Sequence, residues 1–241
     1  MLKKFGLFSL LLVVLGVSGC VVAPTKIPVS EQFLNNKTLR VGLVVTPLPE
    51  FSMSSSGSQG LLDVAINQGM AKKIKEHLQN ASFEPFDKPL EEQFINYITN
   101  NGYSVKTVEL DIATLTKFNK PKKKPKNVQF YQKDLMFLKE KENIDVLVLI
   151  ETRAVGTIRS YYGFFPTSDP KGYYSGLGSM INLSDNSLLW SSVNSQEIQI
   201  KKPWDQEPNY PNLTQAVDEA LERAKAKYKS DFTEKSVAKN Q

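Results

Sequence analysis

Few residues in this 241-residue chain have the type and spacing that catalysis requires. His77 is the only histidine, and four charged residues between positions 72 and 76 precede it on a predicted helix. That setting favours a surface or boundary position over a role as general base. The Gly-x-Ser-x-Gly nucleophile elbow and the His-Glu-x-x-His zinc motif are absent, and one imidazole with one thiol cannot supply the usual zinc ligands. We therefore expect a non-enzymatic protein that uses no metal or other cofactor.

The carboxylates are scattered along the chain. Glu91 and Glu92 fall in the first turn of a predicted helix, where negative charge suits the helix dipole, and Asp218, Glu219 and Glu222 lie on the polar face of the last predicted helix. A glycosidase can be built from two carboxylates that are distant in sequence, so a cell-wall hydrolase stays open as a third hypothesis.

The only cysteine, Cys20, stands where a specific covalent chemistry needs it. Lys3 and Lys4 precede an apolar run from Leu7 to Leu15, and small residues lead into the cysteine, which is the pattern of an export signal. The run of about ten residues is shorter than the roughly twenty that span a bilayer. Residues 17–20, Val-Ser-Gly-Cys, resemble the bacterial lipobox, and this resemblance implies a diacylglycerol on the Cys20 thiol and cleavage before it. With valine next in the chain, it also implies sorting to the outer membrane.

Composition sets further limits. Removing residues 1–19 leaves 28 basic and 25 acidic residues, a dispersed net charge of +3 that does not indicate nucleic-acid binding. With Cys20 acylated no disulfide can form, so stability must come from packing. We predict a signal peptide over 1–19, a lipidated tether over 20–37, one domain over 38–230 and a polar tail over 231–241. The oligomeric state is left open.

The hydrophobic pattern predicts the elements of this domain. Strands are expected at 39–45, 103–110 and 144–150; the last lacks alternation and should be central and buried on both faces. The serine-rich residues 52–60 are expected to form a flexible loop, followed by helices over 61–80 and from Asp87 to Asn100. A hairpin over 173–200 and a final helix complete the chain. The fold class is α+β (α/β-like), with a single mixed sheet, helices packed on it, and a C-terminal antiparallel hairpin followed by a helix.

Two stretches are candidate interaction sites. Residues 117–127 hold six lysines and two prolines, and such a run can attract anionic headgroups or an acidic partner, although it can equally be a solvated loop. The candidate anionic-surface residues are Lys120, Lys122, Lys123, Lys124 and Lys126. Residues 156–174 are rich in aromatics, glycine and proline, which predicts two strands joined by a long aromatic loop. An exposed aromatic patch there would bind a partner, while core or hairpin packing is the alternative. The candidates are Tyr161, Tyr162, Phe164, Phe165, Tyr173 and Tyr174.

The order of elements resembles a known periplasmic domain. A strand near the anchor, a helix ending at Asn101-Gly102 before a strand, the buried strand 145–150 and the hairpin 181–190 before a last helix are similar to the domain shared by curli-secretion-type lipoproteins and penicillin-binding-protein activator lipoproteins. The lysine-proline insertion and the long aromatic loop depart from that pattern. The resemblance implies a non-enzymatic adaptor.

Three functions follow from these observations. The first is an outer-membrane lipoprotein, lipid-anchored and facing the periplasm with surface exposure left open, that serves as an accessory or scaffold subunit of an envelope assembly and binds an envelope protein. The second is a carrier of an anionic or amphiphilic envelope ligand. The cell-wall hydrolase is the third.

Overall fold

The structure is a computed structural model that describes residues 25–58, 60, 65, 72–123 and 127–234. The predicted signal peptide, Cys20, most of the predicted helix before Lys72, and Lys124 and Lys126 lie outside these residues. The described strands are β1 (Arg40–Val45), β2 (Ser52–Ser58), β3 (Ser104–Thr107), β4 (Val146–Tyr162), β5 (Phe165–Pro166), β6 (Lys171–Asn182) and β7 (Leu188–Gln199). The described α-helices are α1 (Glu31–Leu34), α2 (Lys72–Asn80), α3 (Asp87–Asn100), α4 (Leu138–Lys141) and α5 (Pro211–Thr233).

All seven strands belong to one mixed sheet with the order β3-β1-β4-β6-β7. β3, β1 and β4 are parallel, whereas β6 and β7 form an antiparallel hairpin that α5 follows. The described residues therefore confirm the α+β class, the single mixed sheet with packed helices, and the C-terminal hairpin with its helix.

β4 is the central strand, as its composition predicts. Residues 146–150, Val-Leu-Val-Leu-Ile, are all at most 1 % exposed because β1 pairs on one side, β6 on the other, and both sheet faces are covered there. On one face, α2, α3 and α5 contribute to the larger core around Trp190 and Tyr228. On the other face, the described chain between 108 and 144, which includes α4, packs Leu115, Leu135 and neighbouring side chains against β4.

β2 corrects the prediction of a flexible loop over 52–60. β4 continues for twelve residues beyond Ile150, and Ser52–Ser58 pairs in parallel with its last seven, Gly156–Tyr162. Serine and glycine are poor strand formers by composition, but the backbone hydrogen bonds of this pairing do not depend on side chains. At Gly57 the backbone adopts φ +98°, and a Cβ atom there would lie 2.2 Å from the carbonyl oxygen of Tyr161. Glycine therefore permits both the conformation and the close approach.

The segment over 163–170 corrects the prediction of a long aromatic loop. Strand structure extends through Tyr162 and resumes at Phe165 and at Lys171, so only short turns interrupt it. Strand alternation, rather than loop exposure, decides which aromatic side chains face solvent.

Both ends of the described chain pack against the sheet. Val29 and Phe33, in the stretch predicted to be a tether, are each 3 % exposed. At the other end, α5 continues to Thr233, and Asp231 and Phe232 are each 4 % exposed. Buried residues thus occur on both sides of the predicted domain range of 38–230, whose boundaries stay a prediction.

Candidate functional site

The far end of β4 carries an exposed aromatic cluster, which we call the aromatic tip: Tyr162, Phe164 and Phe165. Tyr162 and Phe165 face each other across the β4–β5 pair, and Gly163 makes the turn with φ +58°. The rings of Phe164 and Phe165 pack at a centroid distance of 4.2 Å. Their exposed fractions are 73, 46 and 61 % for Tyr162, Phe164 and Phe165. Three adjacent aromatic side chains thus present an apolar surface to solvent.

The other three aromatic candidates are not part of this tip. Tyr174 is fully buried and Tyr161 is 6 % exposed, so their assignment to an exposed patch is wrong. The period of two along a strand places them on the face opposite Tyr162. Tyr174 packs on Phe86 at 5.1 Å, and its hydroxyl lies 3.1 Å from the Thr152 hydroxyl. Burial raises the pKa of Tyr174, as expected for a core phenol.

Tyr173 occupies an intermediate position. It is half-buried and lies between Gly156 of β4 and Glu197 of β7 in the sheet register. It therefore stands on the stem of the hairpin rather than at its tip.

A short stem holds the aromatic tip. The hydroxyls of Ser56 and Ser160 are 3.0 Å apart across the β2–β4 pair. The Arg159 guanidinium donates to the carbonyl oxygen of Ser168 at 2.8 Å and lies 5.3 Å from the ring centroid of Trp204. These contacts tie the turn over 167–170 back to β4, so the tip projects from an ordered base.

The lysine-rich stretch forms a separate exposed surface. Lys120, Lys122 and Lys123 are exposed, and Lys124 and Lys126 lie outside the described residues. Where this stretch leaves the body of the domain, Lys117 and Lys133 form an antiparallel bridge and the rings of Phe118 and Phe130 are 5.8 Å apart. Within the described ranges, no hydrogen bond or cation–π contact joins Lys120, Lys122 or Lys123 to the aromatic tip.

A cleft that sequence reasoning missed lies between β1, β3 and α3. It has a volume of about 470 Å³ and is lined by residues 43–47, 107–110, Lys88 and Glu91. The two parallel strands end here, and the first turn of α3 forms one wall, which is the usual place of ligand crevices in parallel sheets. Lys88 Nζ lies 4.0 Å from Glu91 Oε2. The strand–helix–strand order of residues 39–110 is the signal that could have indicated this cleft.

The single histidine takes part in a packing contact. His77 Nε2 lies 2.8 Å from the hydroxyl oxygen of Thr214, and its ring is 5.0 Å from that of Tyr210. Partial burial lowers the pKa of His77. This boundary position between α2 and α5 agrees with the prediction for His77.

A partly buried carboxylate on the sheet belongs to Glu151. Tyr131 donates a hydrogen bond to its Oε2 at 3.0 Å, and burial raises the pKa of Glu151 despite that hydrogen bond. Within the part of the chain that the structure describes, no three His, Cys, Asp or Glu side chains group to hold a metal ion. Nor is any described helix both long and apolar enough to cross a membrane.

Comparison with known proteins finds no matching family model and no matching curated sequence. Among solved structures, the chain is similar to a Xanthomonas campestris protein of the DUF330 family, with 11 % identity over 80 % of this chain and 93 % of that one at a TM-score of 0.31. A Helicobacter pylori protein described as a homologue of neuraminyllactose-binding hemagglutinin shares 11 % identity over 88 % and 93 % at 0.35. The PelC dodecamer from Paraburkholderia phytofirmans shares 7 % over 84 % and 94 % at 0.23. The resemblance to curli-secretion lipoproteins stays a prediction.

Proposed function

We propose that this protein is a non-enzymatic lipoprotein, anchored through Cys20 in the outer membrane and facing the periplasm, that serves as an accessory or scaffold subunit of an envelope assembly. It binds a protein partner through the aromatic tip. The observation that carries this proposal is the exposure of Tyr162, Phe164 and Phe165 at the end of an ordered strand pair.

The energetics of exposed aromatics support such a role. An aromatic side chain has 150–250 Å² of surface, and removing apolar surface from water contributes about 25 cal/mol per Å². Aromatic residues are also enriched among the few residues that dominate the affinity of protein interfaces. The partner expected here presents an apolar pocket that covers the Phe164–Phe165 ring pair and accepts a hydrogen bond from the Tyr162 hydroxyl.

The test is crosslinking and pull-down of the full acylated chain from intact envelopes. We expect Tyr162→Ser, Phe164→Ser and Phe165→Ser combined to reduce capture of a specific envelope protein at least about tenfold, since hot-spot truncations each cost 2 kcal/mol or more. The matched control replaces Val128, Met136 and Phe137 by serine, because these apolar residues are exposed elsewhere on the domain. Equal capture by the tip variant and the wild type would refute the proposal, provided that the variant is folded.

A second function, carriage of an anionic or amphiphilic envelope ligand, is favoured by one observation. The cleft beside Lys88 is large enough for a small organic ligand, since ligand pockets measure about 300–1,000 Å³. Native mass spectrometry of gently extracted protein would reveal a bound ligand. We expect Lys88→Glu to abolish retention of the ligand. The control Lys72→Glu changes a similarly exposed lysine that also lies beside a helical glutamate, and it should leave retention unchanged.

A further inference from the structure

The chain that leads from Cys20 into the domain is docked on the sheet. Ile27 and Ser191 exchange two backbone hydrogen bonds of 2.8 and 3.0 Å, and the amide of Ser30 donates to the carbonyl oxygen of Leu189 at 2.8 Å. Residues 27–30 thereby cover the outer edge of β7 at its beginning. The entry of the chain into the domain is thus held at one end of the sheet.

Lys26 fixes the same point to the end of α5. Its Nζ lies 2.8 Å from Asp231 Oδ1 and 2.6 Å from Glu234 Oε2. Asp231 is nearly fully buried and also accepts hydrogen bonds from Lys227 Nζ at 2.8 Å and from the Ser192 hydroxyl at 2.6 Å. Burial would raise the pKa of Asp231, but these three partners together lower it, so the carboxylate is charged and holds Lys26 at neutral pH.

Thr25 lies beside the base of the lysine-rich stretch. Gln129 Nε2 donates to the Thr25 hydroxyl oxygen at 2.7 Å, and the carbonyl oxygen of Gln129 accepts from the Leu188 amide. Residue 25 and the chain on which the lysines stand are thus adjacent, although about a hundred residues separate them in sequence. The sequence alone does not predict that Thr25 and the lysine-rich stretch are adjacent.

The described lysines of that stretch form no ion pair within the part of the chain that the structure describes. Some lysines elsewhere, such as Lys171 and Lys225, pair with glutamates, whereas others, such as Lys75, form no ion pair within the described residues. Four exposed lysines that make no ion pair with any described residue stand close together in this one stretch: Lys117, Lys120, Lys122 and Lys123. Their charge is therefore available to an external anion.

The distance to the anchor is short. Thr25 is the fifth residue after Cys20, and an extended chain spans at most about 3.6 Å per residue, so Cys20 lies within about 18 Å of Thr25. An acylated Cys20 would hold this end of the domain, with its four unpaired lysines, close to the lipid headgroups.

We infer that the docked segment 25–30 and the four lysines form one membrane-contact surface that binds the phosphates of anionic phospholipids in the leaflet holding the anchor. The inference rests on the proposed acylation of Cys20. Acyl chains combined with a basic patch are a known means of stable anchoring, and each lysine near an anionic surface adds to the attraction. This surface also determines the orientation of the domain.

The aromatic tip lies far from this surface. Ile27 pairs with Ser191, which aligns through Ser179 with Leu149 of β4. Tyr162 is thirteen residues further along β4, about 40 Å at 3.3 Å per residue. The chain from Thr25 to Cys20 spans at most about 18 Å, which is less than half of this length along the strand.

The test separates headgroup binding from acylation. Residues 20–241 carrying Cys20→Ser have no acyl chain, and every buried residue in the described ranges lies at position 29 or beyond, so this protein retains the packed domain. It is sedimented with vesicles of phosphatidylcholine alone and with vesicles in which about 30 mol % of the lipid is phosphatidylglycerol. A third set carries lipid A in place of phosphatidylglycerol.

We expect binding to the phosphatidylglycerol vesicles that weakens with added salt. Replacing Lys120, Lys122 and Lys123 by serine should lower the partition coefficient at least about tenfold. The control replaces Lys75, Lys201 and Lys202 by serine. It removes the same three positive charges as the first variant, but near the other end of α5. Equal loss in both variants, no binding by the parent protein, or binding to lipid A alone would each overturn the inference.

Acylation is measured independently on the wild-type protein, by mass spectrometry of its N-terminal peptide. An unacylated Cys20 would defeat the proposed function, whatever the vesicles show. In vesicles that hold the acylated protein, we expect amine-reactive labelling of Lys120, Lys122 and Lys123 to fall several-fold relative to Lys75. Uniform labelling would overturn the proposed orientation even when the lipid anchor is present.

Discussion

Among single residues, Asp145 shows how one side chain ties β1 to the start of β4. Its carboxylate accepts hydrogen bonds from the backbone amide, Nε and Nη2 of Arg40 at 3.0, 2.8 and 2.8 Å. These side-chain hydrogen bonds outweigh the opposing effect of burial and lower the pKa of Asp145 to about 2. An aspartate in an unfolded chain has a pKa of about 3.9. The carboxylate therefore contributes stability that is fully present above about pH 4 and is lost as the pH falls through about 2.

We predict that Asp145→Asn is less stable than the wild type at pH 7 and that the difference narrows between about pH 4 and pH 2. Urea denaturation at several pH values measures the free energy of unfolding of both proteins. Asp205→Asn is the control, because Asp205 is exposed and makes no ion pair within the described residues. A difference that stays constant from pH 7 to pH 2 would argue against a lowered pKa.

The aromatic residues show what sequence can and cannot predict at this scale. The sequence groups six of them as one candidate patch, but the structure exposes three and buries Tyr161 and Tyr174. Alternation within a strand separates neighbours such as Tyr161 and Tyr162, yet it applies only once the stretch is known to be a strand. The local sequence, with Gly163, Pro166 and Pro170, does not indicate that this stretch is a strand.

At the scale of elements, α5 packs on β6 at an unusually short distance. A Cβ atom at Gly172 would lie 2.2 Å from the carbonyl oxygen of Ala216, which belongs to the α5 backbone. We predict that Gly172→Ala displaces the helix and lowers the free energy of unfolding by about 2–3 kcal/mol, as overpacking does. Urea denaturation measures this loss.

Gly102→Ala provides the comparison for this prediction. No atom lies within 4 Å of the added Cβ at Gly102, although φ there is +84°. That substitution tests backbone strain without a clash and should cost about 1–2 kcal/mol. If the loss at Gly172 does not exceed that at Gly102, the close approach of α5 to β6 is not confirmed.

The segment before β1 is a second element whose role can be tested. The ring of Phe33 stacks on Tyr103 at 4.4 Å, and the Tyr103 hydroxyl donates to the carbonyl oxygen of Phe33 at 2.6 Å. We predict that Phe33→Ala lowers the free energy of unfolding by about 3 kcal/mol, because it leaves a cavity in the core. The exposed neighbour substitution Gln32→Ala should change it by less than about 0.5 kcal/mol. A similar small effect at Phe33 would indicate a free tether.

For the whole molecule, the residues of the proposed partner site are different from those that stabilise the core. We predict that combining Tyr162→Ser, Phe164→Ser and Phe165→Ser changes the free energy of unfolding by less than about 1 kcal/mol, since the side chains are exposed. Tyr174→Ser should instead cost about 3 kcal/mol or more, because Tyr174 fills the core between β6 and α5. Denaturation of both variants checks this contrast, and an unstable tip variant would invalidate its use in the pull-down.

The domain also has two opposite ends with different expected contacts. One end combines the docked N-terminal segment with the unpaired lysines, and the other carries the aromatic tip. If both proposals hold, the partner site lies roughly 40 Å along β4 from Leu149, the residue level with the pairing of Ile27 and Ser191. Such a separation suits a subunit that links an assembly to the membrane.

The local sequence pattern was sufficient to predict the central strand, the C-terminal hairpin, the fold class and the position of His77. The order of apolar residues directly reflects burial and strand alternation. Folding decided everything that depends on pairing between distant segments. β2 is a strand because β4 offers its backbone edge, Thr25 meets Gln129 across a hundred residues, and the cleft exists because β1 and β3 end side by side. These features depend on backbone hydrogen bonds and long-range packing, and neither produces a periodic pattern of residue types in the segments that take part.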